Sequence, residues 1–434
     1  MPRIARPHAT IRMLAALAVP ALLLWGCYPA EPVTPHDVAF GSALYLDRAL
    51  GDADRIAGIT ELAGMAGVEW TREEFHWDNI EPQRGVFSQR ELARYDAAVA
   101  AITAQGIKIM GLLAYNNPWS SGTTDPDTDA ERADFARFAA AMAERYKGVI
   151  SHWEIWNEPN LDRFWEPEPD AAAYGLLLRA AAEAVRAANP EAKIVGGASS
   201  GTDVDFLMDT LNAAGPGVVD ILSFHHYCGD RAWDRSDEPK DLRQLNRALT
   251  EAGFSLPLWV TEFGYATTQA DNGVDEYTQS ALMVRAFLAQ FAEGVENIIT
   301  YDFVDDGITP NENEEHFGLV DHILVPKPAW QTFGVMTSLL SGARIEERRL
   351  ENGITAVRFT SAAGQAVWAV WDARIGVKDG SLENSRDRLF ELPGLGAGTV
   401  ALNVNGATVP LTEKGGKLYL SVEGAPRYLV SPLP

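Results

Sequence analysis

The sequence predicts an α/β protein: a (β/α)8 TIM barrel over residues 38–341, followed by a small β-sandwich over 342–434. Three observations predict it. Apolar strand-like runs alternate with Ala-rich helical runs, eight of each in roughly 300 residues, which is the unit count and length such a barrel needs. The longest connections, 115–128, 160–170, 228–239 and 305–325, all follow strands, on the side where this fold builds its functional face. After Ser341 the texture changes to short alternating runs broken by turn dipeptides.

Taken in order, the strand-like runs are 38–46, 68–72, 107–113, 149–156, 193–197, 219–224, 256–261 and 297–303. Between them, Ala and Leu recur at helical spacing over 91–104, 130–146, 171–188, 240–251 and 277–293, and 328–340 closes the set. Gly106, Gly148 and Gly253 stand where helices should stop. Strict alternation of this kind implies parallel strands joined by crossover helices. The trailing runs, 354–360, 366–371, 400–404, 407–411, 418–422 and 428–431, are punctuated by Asn352-Gly353, Asn405-Gly406 and Gly415-Gly416. No polar or Pro/Gly-rich spacer separates them from the barrel, so the sandwich is expected to pack rigidly on it. Trp368 and Trp371 are three apart and must face opposite sides of a regular strand.

The composition, 47% hydrophobic and 22% charged over 434 residues, is that of a globular protein with a large core. A formal net charge of −24 argues against nucleic acid and against polyanionic partners. The first 27 residues read as a leader. Arg3, Arg6 and Arg12 precede an apolar run over 13–25 that is short for a membrane span. Leu24-Trp25-Gly26-Cys27 then resembles a bacterial lipoprotein cleavage box, with Cys27 as the lipidated residue and the Pro-rich stretch 28–37 as a tether. An ordinary export signal or an uncleaved anchor is the alternative. Either way the expectation is an exported protein of the cell envelope, touching the membrane by a lipid anchor only. Cys228 is the one other cysteine, so a lipidated Cys27 leaves no disulfide within the mature chain.

Two stretches carry the chemistry. Trp153-Glu154-Ile155-Trp156-Asn157-Glu158-Pro159-Asn160 is a buried strand running into a loop, and Leu258-Trp259-Val260-Thr261-Glu262-Phe263-Gly264-Tyr265 is another apolar strand ending in a Glu. A polar pair at the mouth of a buried strand is costly unless it has work to do. By count Glu158 ends the fourth strand and Glu262 the seventh, and those ends face one another across an eight-stranded barrel. Two carboxyls so placed are the equipment for cleaving a glycosidic bond. Glu154, inside its strand, reads as a buried structural partner.

Trp-Asn-Glu-Pro at strand four and Thr-Glu-Phe-Gly at strand seven resemble the clan of retaining (β/α)8 glycoside hydrolases, clan A. The resemblance implies that Glu158 is the acid/base and Glu262 the nucleophile. It implies that Asn157 binds the sugar 2-hydroxyl, and that Arg72, in Trp70-Thr71-Arg72-Glu73, supports the nucleophile. His225 and Tyr227, in Ser223-Phe224-His225-His226-Tyr227, match the clan's His-x-Tyr pair. The trailing sandwich, together with Phe317-Gly318-Leu319 before Lys327-Pro328, is most similar to family 39, which includes β-xylosidases, α-iduronidases and exopolysaccharide endo-glycosidases; family 5 is next. Where many members place a Trp at the end of strand eight, this chain has Tyr301 and Phe303. Where family 5 has a strand-three His, it has Tyr115 and Asn116.

Trp119, Trp165 and Trp233 lie in strand-following loops, where they either stack on sugar rings or pin the loops. His225, His226 and Glu262 lack metal-ligand spacing, and the acidic run 311–315 reads as a solvated loop, so no metal and no cofactor are expected. The whole reads as a monomeric retaining glycosidase that cleaves a β-linked oligo- or polysaccharide with water as second substrate. An inactive glycan-binding envelope lipoprotein is the alternative, and the two intact Glu residues argue against it.

Overall fold

The computed structural model describes residues 33–122, 125–383, 388–391 and 398–433; Cys27 and the leader lie outside them. Eight parallel strands close a barrel in chain order: β1 (Ala39–Ser42), β2 (Trp70–His76), β3 (Lys108–Ala114), β4 (His152–Ile155), β5 (Lys193–Ser200), β6 (Ile221–His225), β7 (Leu258–Glu262) and β8 (Val295–Thr300). Closure is direct, with Ala39 to Ser42 registered against Asn297 to Thr300.

The helices sit close to where the sequence puts them, because their ends are written locally. Thr128 and Glu131 form a reciprocal capping box that starts Asp129–Arg145. Asp170 Oδ1 accepts the amides of Ala172 and Ala173 to start Ala171–Ala188. Helices Ala53–Met65 and Val204–Ala214 stand beside the six stretches located by spacing. The first and fourth strands end sooner than expected, while the second and fifth run on to His76 and Ser200. The run 38–46 stops pairing after Ser42, since Tyr45 takes a left-handed φ of 45° and a 3-10 turn, Leu46–Ala49, follows. The fourth strand likewise ends at Ile155, where Trp156 turns to φ 69°.

Inward-facing residues fill the barrel in layers. At the lower end Trp70, Met110, Val195, Ile221, Trp259 and Ile299 form an apolar plug, with Trp70 and Trp259 edge-on at 5.0 Å. Two residues further along β2 the pattern continues with Arg72, and then with Glu74, which reaches the cavity at the mouth. A polar layer thus lies between a closed floor and an open top.

The C-terminal part pairs a six-stranded antiparallel sheet with a three-stranded one made of Arg388–Glu391, Lys417–Val422 and Leu411–Lys414. Ile354, Trp368, Phe390, Leu420 and Leu429 pack between them. Two details correct the reading of the runs. Arg344–Glu351 is a strand although it is mostly charged, and 407–411 is not one; the strand there begins at Leu411. Within the stretch expected as a tether, His36–Asp37 pairs with Arg344–Ile345. Trp371 turns to the barrel side and donates to Asp234 (2.8 Å), opposite to Trp368. Buried Arg285, on Glu276–Ala292, donates to the backbone oxygens of Ala373 and Ile375 and pairs with Asp234, so a strand-six loop, a barrel helix and the sandwich meet at one guanidinium. Among the described residues no helix is long and apolar enough to cross a membrane.

Candidate active site

A cavity of about 540 Å³ opens at the C-terminal mouth of the barrel, lined by Tyr45, Tyr115, Asn157, Glu158, Tyr227, Glu262, Tyr301 and Phe317 among others. That is the face where this fold places its sites.

Glu262 ends β7 and is held by three fixed donors. Buried Arg72 pairs with Oε1 through Nη1, the Tyr45 hydroxyl donates to Oε1 (3.2 Å), and the Tyr227 hydroxyl donates to Oε2 (2.9 Å). Burial first, and then the Glu262 charge, push both phenols far above their ordinary value, so they stay protonated donors. Arg72 is itself anchored. Its Nε donates to Glu154 Oε2 (2.5 Å) and its Nη2 to Asn157 Oδ1 (2.7 Å), while Thr261 donates to the other oxygen of Glu154 (2.9 Å). Burial alone would depress Arg72, but Glu154 and Glu262 outweigh it and keep the guanidinium charged. Removing one member of such a buried network costs about 3–5 kcal/mol, since its partner is stranded. With Asn157 Oδ1 taken by Arg72, the amide NH2 is the end left for a ligand.

Glu158 follows β4 in a left-handed backbone, φ 43°, a conformation costing on the order of 1–3 kcal/mol for a non-glycine residue. Its amide is fixed to the oxygen of Ala198 on β5 (2.9 Å), and its carbonyl accepts from Leu161 (3.0 Å). Its carboxylate has different company. His225 Nδ1, from the end of β6, lies 3.2 Å from Oε1 and also 3.5 Å from Glu262 Oε2. Arg163, in the following loop, donates to Oε2 (2.9 Å). Burial pushes the Glu158 carboxyl up, but His225 and Arg163 outweigh it and bring it down to about 2. One oxygen each of Glu158 and Glu262 and a nitrogen of His225 all fall within 4.8 Å of one another.

Most residues expected at the site are there, but some act from behind it. Asn157, Tyr115, Tyr227 and Tyr301 line the cavity, whereas Arg72 and His225 are fully buried and reach a ligand only through the carboxylates they hold. The three loop tryptophans do not line the cavity. Trp119 donates to the oxygen of Glu81 (2.7 Å) and packs edge-on to Trp77. Trp165 is buried against Trp156 and Tyr174, and Trp233 is buried and donates to His226 (3.2 Å). Trp165 and Trp233 pin their loops from within the core, where an indole has no face left for a sugar, and part-buried Trp119 carries Arg84 and Arg137 against its ring. Phe303 is likewise buried, leaving Tyr301 as the strand-eight aromatic at the mouth.

Sequence reasoning passed over Tyr45, Arg163 and Glu314. Tyr45 stands three residues beyond the last residue of β1 and Arg163 lies inside a loop, so neither carries a periodic signal. Glu314 lies in the acidic run expected as solvated, yet it lines the cavity and accepts from Tyr301 (3.3 Å). The loop bearing it is fixed by buried Lys327, which pairs with Asp305 (3.1 Å), and by the Gly318 amide on the same carboxylate (2.7 Å). A side chain at Gly318 would put its Cβ 2.2 Å from the Asp305 nitrogen, which explains the glycine beside cavity-lining Phe317.

Glu158, His225 and Glu262 offer three atoms close enough to hold a cation, as do Asp47, Glu74 and His76 at the rim. In the second group the imidazole bridges the two carboxylates at 3.3 and 3.1 Å, and although burial pulls it down, those carboxylates raise His76 to about 10. A protonated imidazole already supplies the positive charge there.

Comparison with known proteins places the chain. The family model described as Cellulase (glycosyl hydrolase family 5) matches residues 54–293. A beta-xylosidase of Geobacillus stearothermophilus is 26% identical over 271 residues, covering 55% of this chain and 53% of the relative. The chain thus spans about half the length of the curated relatives it matches. Among solved structures, a family 39 glycoside hydrolase from Bacteroides cellulosilyticus WH2 superposes with a TM-score of 0.74 at 24% identity, covering 91% of this chain and 81% of that one. A monomeric beta-xylosidase from Caulobacter crescentus CB15 gives 0.67 at 18%, covering 93% and 98%. With more than half of its residues inside the family model, the chain belongs to the cellulase family of glycosyl hydrolases, family 5, and is a clan A (β/α)8 glycoside hydrolase with family 39 enzymes among its neighbours in structure.

Proposed function

We propose that the protein is a retaining glycosidase that cleaves a β-linked glycan by double displacement, with Glu262 as nucleophile and Glu158 as acid/base. The observation that carries this reading is the closeness of the two carboxyls, an oxygen of each within 4.8 Å of the other, at the floor of one cavity. Retaining enzymes hold their carboxyls about 5–5.5 Å apart, too close for a water to attack from the opposite face. In the first step a Glu262 oxygen bonds to the anomeric carbon while the glycosidic C–O bond breaks. The electron pair stays on the leaving oxygen, which takes the proton of Glu158. In the second step water gives a proton to Glu158, its oxygen bonds to the anomeric carbon, and the Glu262 ester oxygen departs. Arg72, Tyr45 and Tyr227 hold and aim Glu262, and Asn157 is placed to bind the 2-hydroxyl.

The beta-xylosidase relatives make an aryl β-D-xyloside the first substrate to try. Proton NMR of the first-formed sugar should show the β-anomer before mutarotation. A first-formed α-anomer would overturn the retaining assignment.

We also infer that the protein works at an envelope surface, tethered through a lipid on Cys27; the cleavage box and the Pro-rich stretch behind it support this. Replacing Cys27 by Ser should move the protein from the membrane fraction to the soluble one. Unchanged membrane retention would instead make the apolar segment itself the anchor.

A further inference from the structure

Both oxygens of Glu158 face protein partners. Oε1 faces His225, which is fully buried on a barrel strand. Oε2 is taken by Arg163. An acid that delivers its proton to a leaving group needs one oxygen free to carry that proton and to reach the glycosidic oxygen. Of the two partners only one can yield. The Arg163 side chain is 63% exposed, sits on the loop between β4 and Ala171–Ala188, and rests its guanidinium against the Phe164 ring (4.6 Å) independently of the ion pair. It also stands at a divide. It lines the catalytic cavity and a second one of about 490 Å³ on its far side, together with Tyr115 and Phe164. A sugar chain running from one cavity to the other passes the wall that this guanidinium shares with Tyr115 and Phe164.

We propose that Arg163 is a movable positioning residue for the acid/base: paired, it holds Glu158 as the ionised base of the second step, and displaced by the leaving-group part of the substrate, it frees Oε2 to carry the proton of the first. This rests on the reading of Glu158 as acid/base. The charged and titratable groups that face Glu158 are few. They are Arg163 on its own loop, His225 from β6, Glu262 from β7 and Glu314 from the loop over the mouth. Arg163 is the one among them that is both cationic and exposed, so it is the partner a substrate can remove. The low titration of Glu158 beside His225 and Arg163 agrees with this arrangement.

The test uses Arg163→Met, which keeps the stem against Phe164 and deletes the charge, with Arg163→Lys as the conservative control and Arg163→Gln should the Met variant not fold. Carboxyl ¹³C NMR of Glu-labelled protein, with Glu158 assigned by its loss in Glu158→Gln, reads the group without any substrate. The expected result is a Glu158 titration raised by about one unit or more in Met and Gln, and close to wild type in Lys. The alkaline limb of kcat/KM on xylobiose should move up with it, and by clearly more than that of 4-nitrophenyl β-D-xyloside, whose leaving group needs no proton. An unmoved Glu158 titration in a variant with unchanged melting temperature would overturn the proposal, as would a uniform fall in kcat on both substrates with an unmoved pH profile, the mark of a loop that merely needs its arginine. If Glu158 titrates higher as expected but no β-glycoside is cleaved by wild type, the hold of Arg163 on Glu158 stands and the glycosidase reading falls.

Discussion

Glu158 and Glu262 are the same residue at the mouth of one barrel, and they differ in what surrounds them. Glu262 is gripped by a buried guanidinium and two phenols, those of buried Tyr45 and of part-buried Tyr227. Glu158 has one buried partner and one exposed one, on a backbone bent into a left-handed turn. A nucleophile must be held in one place and aimed, and donors such as these suit that task. An acid/base must gain and lose a proton in each cycle, so at least one of its contacts has to be replaceable. The difference lies in the attachment of the partners, since both carboxyls have cationic or donor neighbours.

The comparison can be broken most severely at Glu262. Glu262→Gln should lower kcat by roughly 10⁴-fold or more in a protein that still folds, because the covalent step is lost. Steady-state kinetics with near-normal turnover would reverse the assignment. Glu158→Ala should show a split: about 10²–10⁴-fold loss on unactivated glycosides, much less in the first step on an aryl substrate, and partial rescue by azide, which needs no base. A loss independent of the leaving group, measured across a series of aryl glycosides, would show that Glu158 does not deliver the proton. Tyr227→Phe removes one donor from Glu262 and should cost about 10–100-fold in kcat with KM nearly unchanged, since the bond holds the nucleophile and not the ground-state sugar.

The smallest effect sharpens the comparison through a third carboxyl. Glu73, beside Arg72 on β2 but turned away from the cavity, accepts from Thr71 (2.5 Å) and the Leu46 amide (2.8 Å). Burial outweighs those bonds and raises it to about 8. Its folded form therefore binds a proton that the unfolded chain, titrating near 4.5, has already lost. The resulting stability is fully present below that value and is lost as pH rises towards 8, by an amount on the order of a few kcal/mol at most. Glu73→Gln should flatten the fall of melting temperature between pH 5 and 8 without altering kcat. An unchanged slope would show that Glu73 is ionised in the folded protein.

Much of this site was legible in the sequence because it is built at strand ends. A strand declares itself by its apolar run, and a polar residue where the run stops is conspicuous. Asn157, Glu158 and Glu262 were found that way, and Glu154 was read as a buried structural partner. The resemblance to a known clan added Arg72, His225 and Tyr227. Tyr45 and Arg163 were not found, since they sit beyond the strands in turns with no period. The tryptophans mark the opposite failure. Trp119, Trp165 and Trp233 had the right type in the right loops, but which way an indole turns depends on the gap it fills in the core.

By itself, then, the sequence determined the order of the elements, the closure of eight βα units and the two strand ends that bear carboxyls. Each of these is written in local pattern: burial period, capping residues such as Thr128 and Asp170, and the glycine where a helix stops. The tertiary structure alone decided which groups meet at the mouth. Tyr45 reaches Glu262 across 217 positions of chain and Arg72 across 190. Such contacts follow from barrel closure and strand register. Spacing along the chain carries no trace of them, because the free energy that sets them is the packing of the whole core.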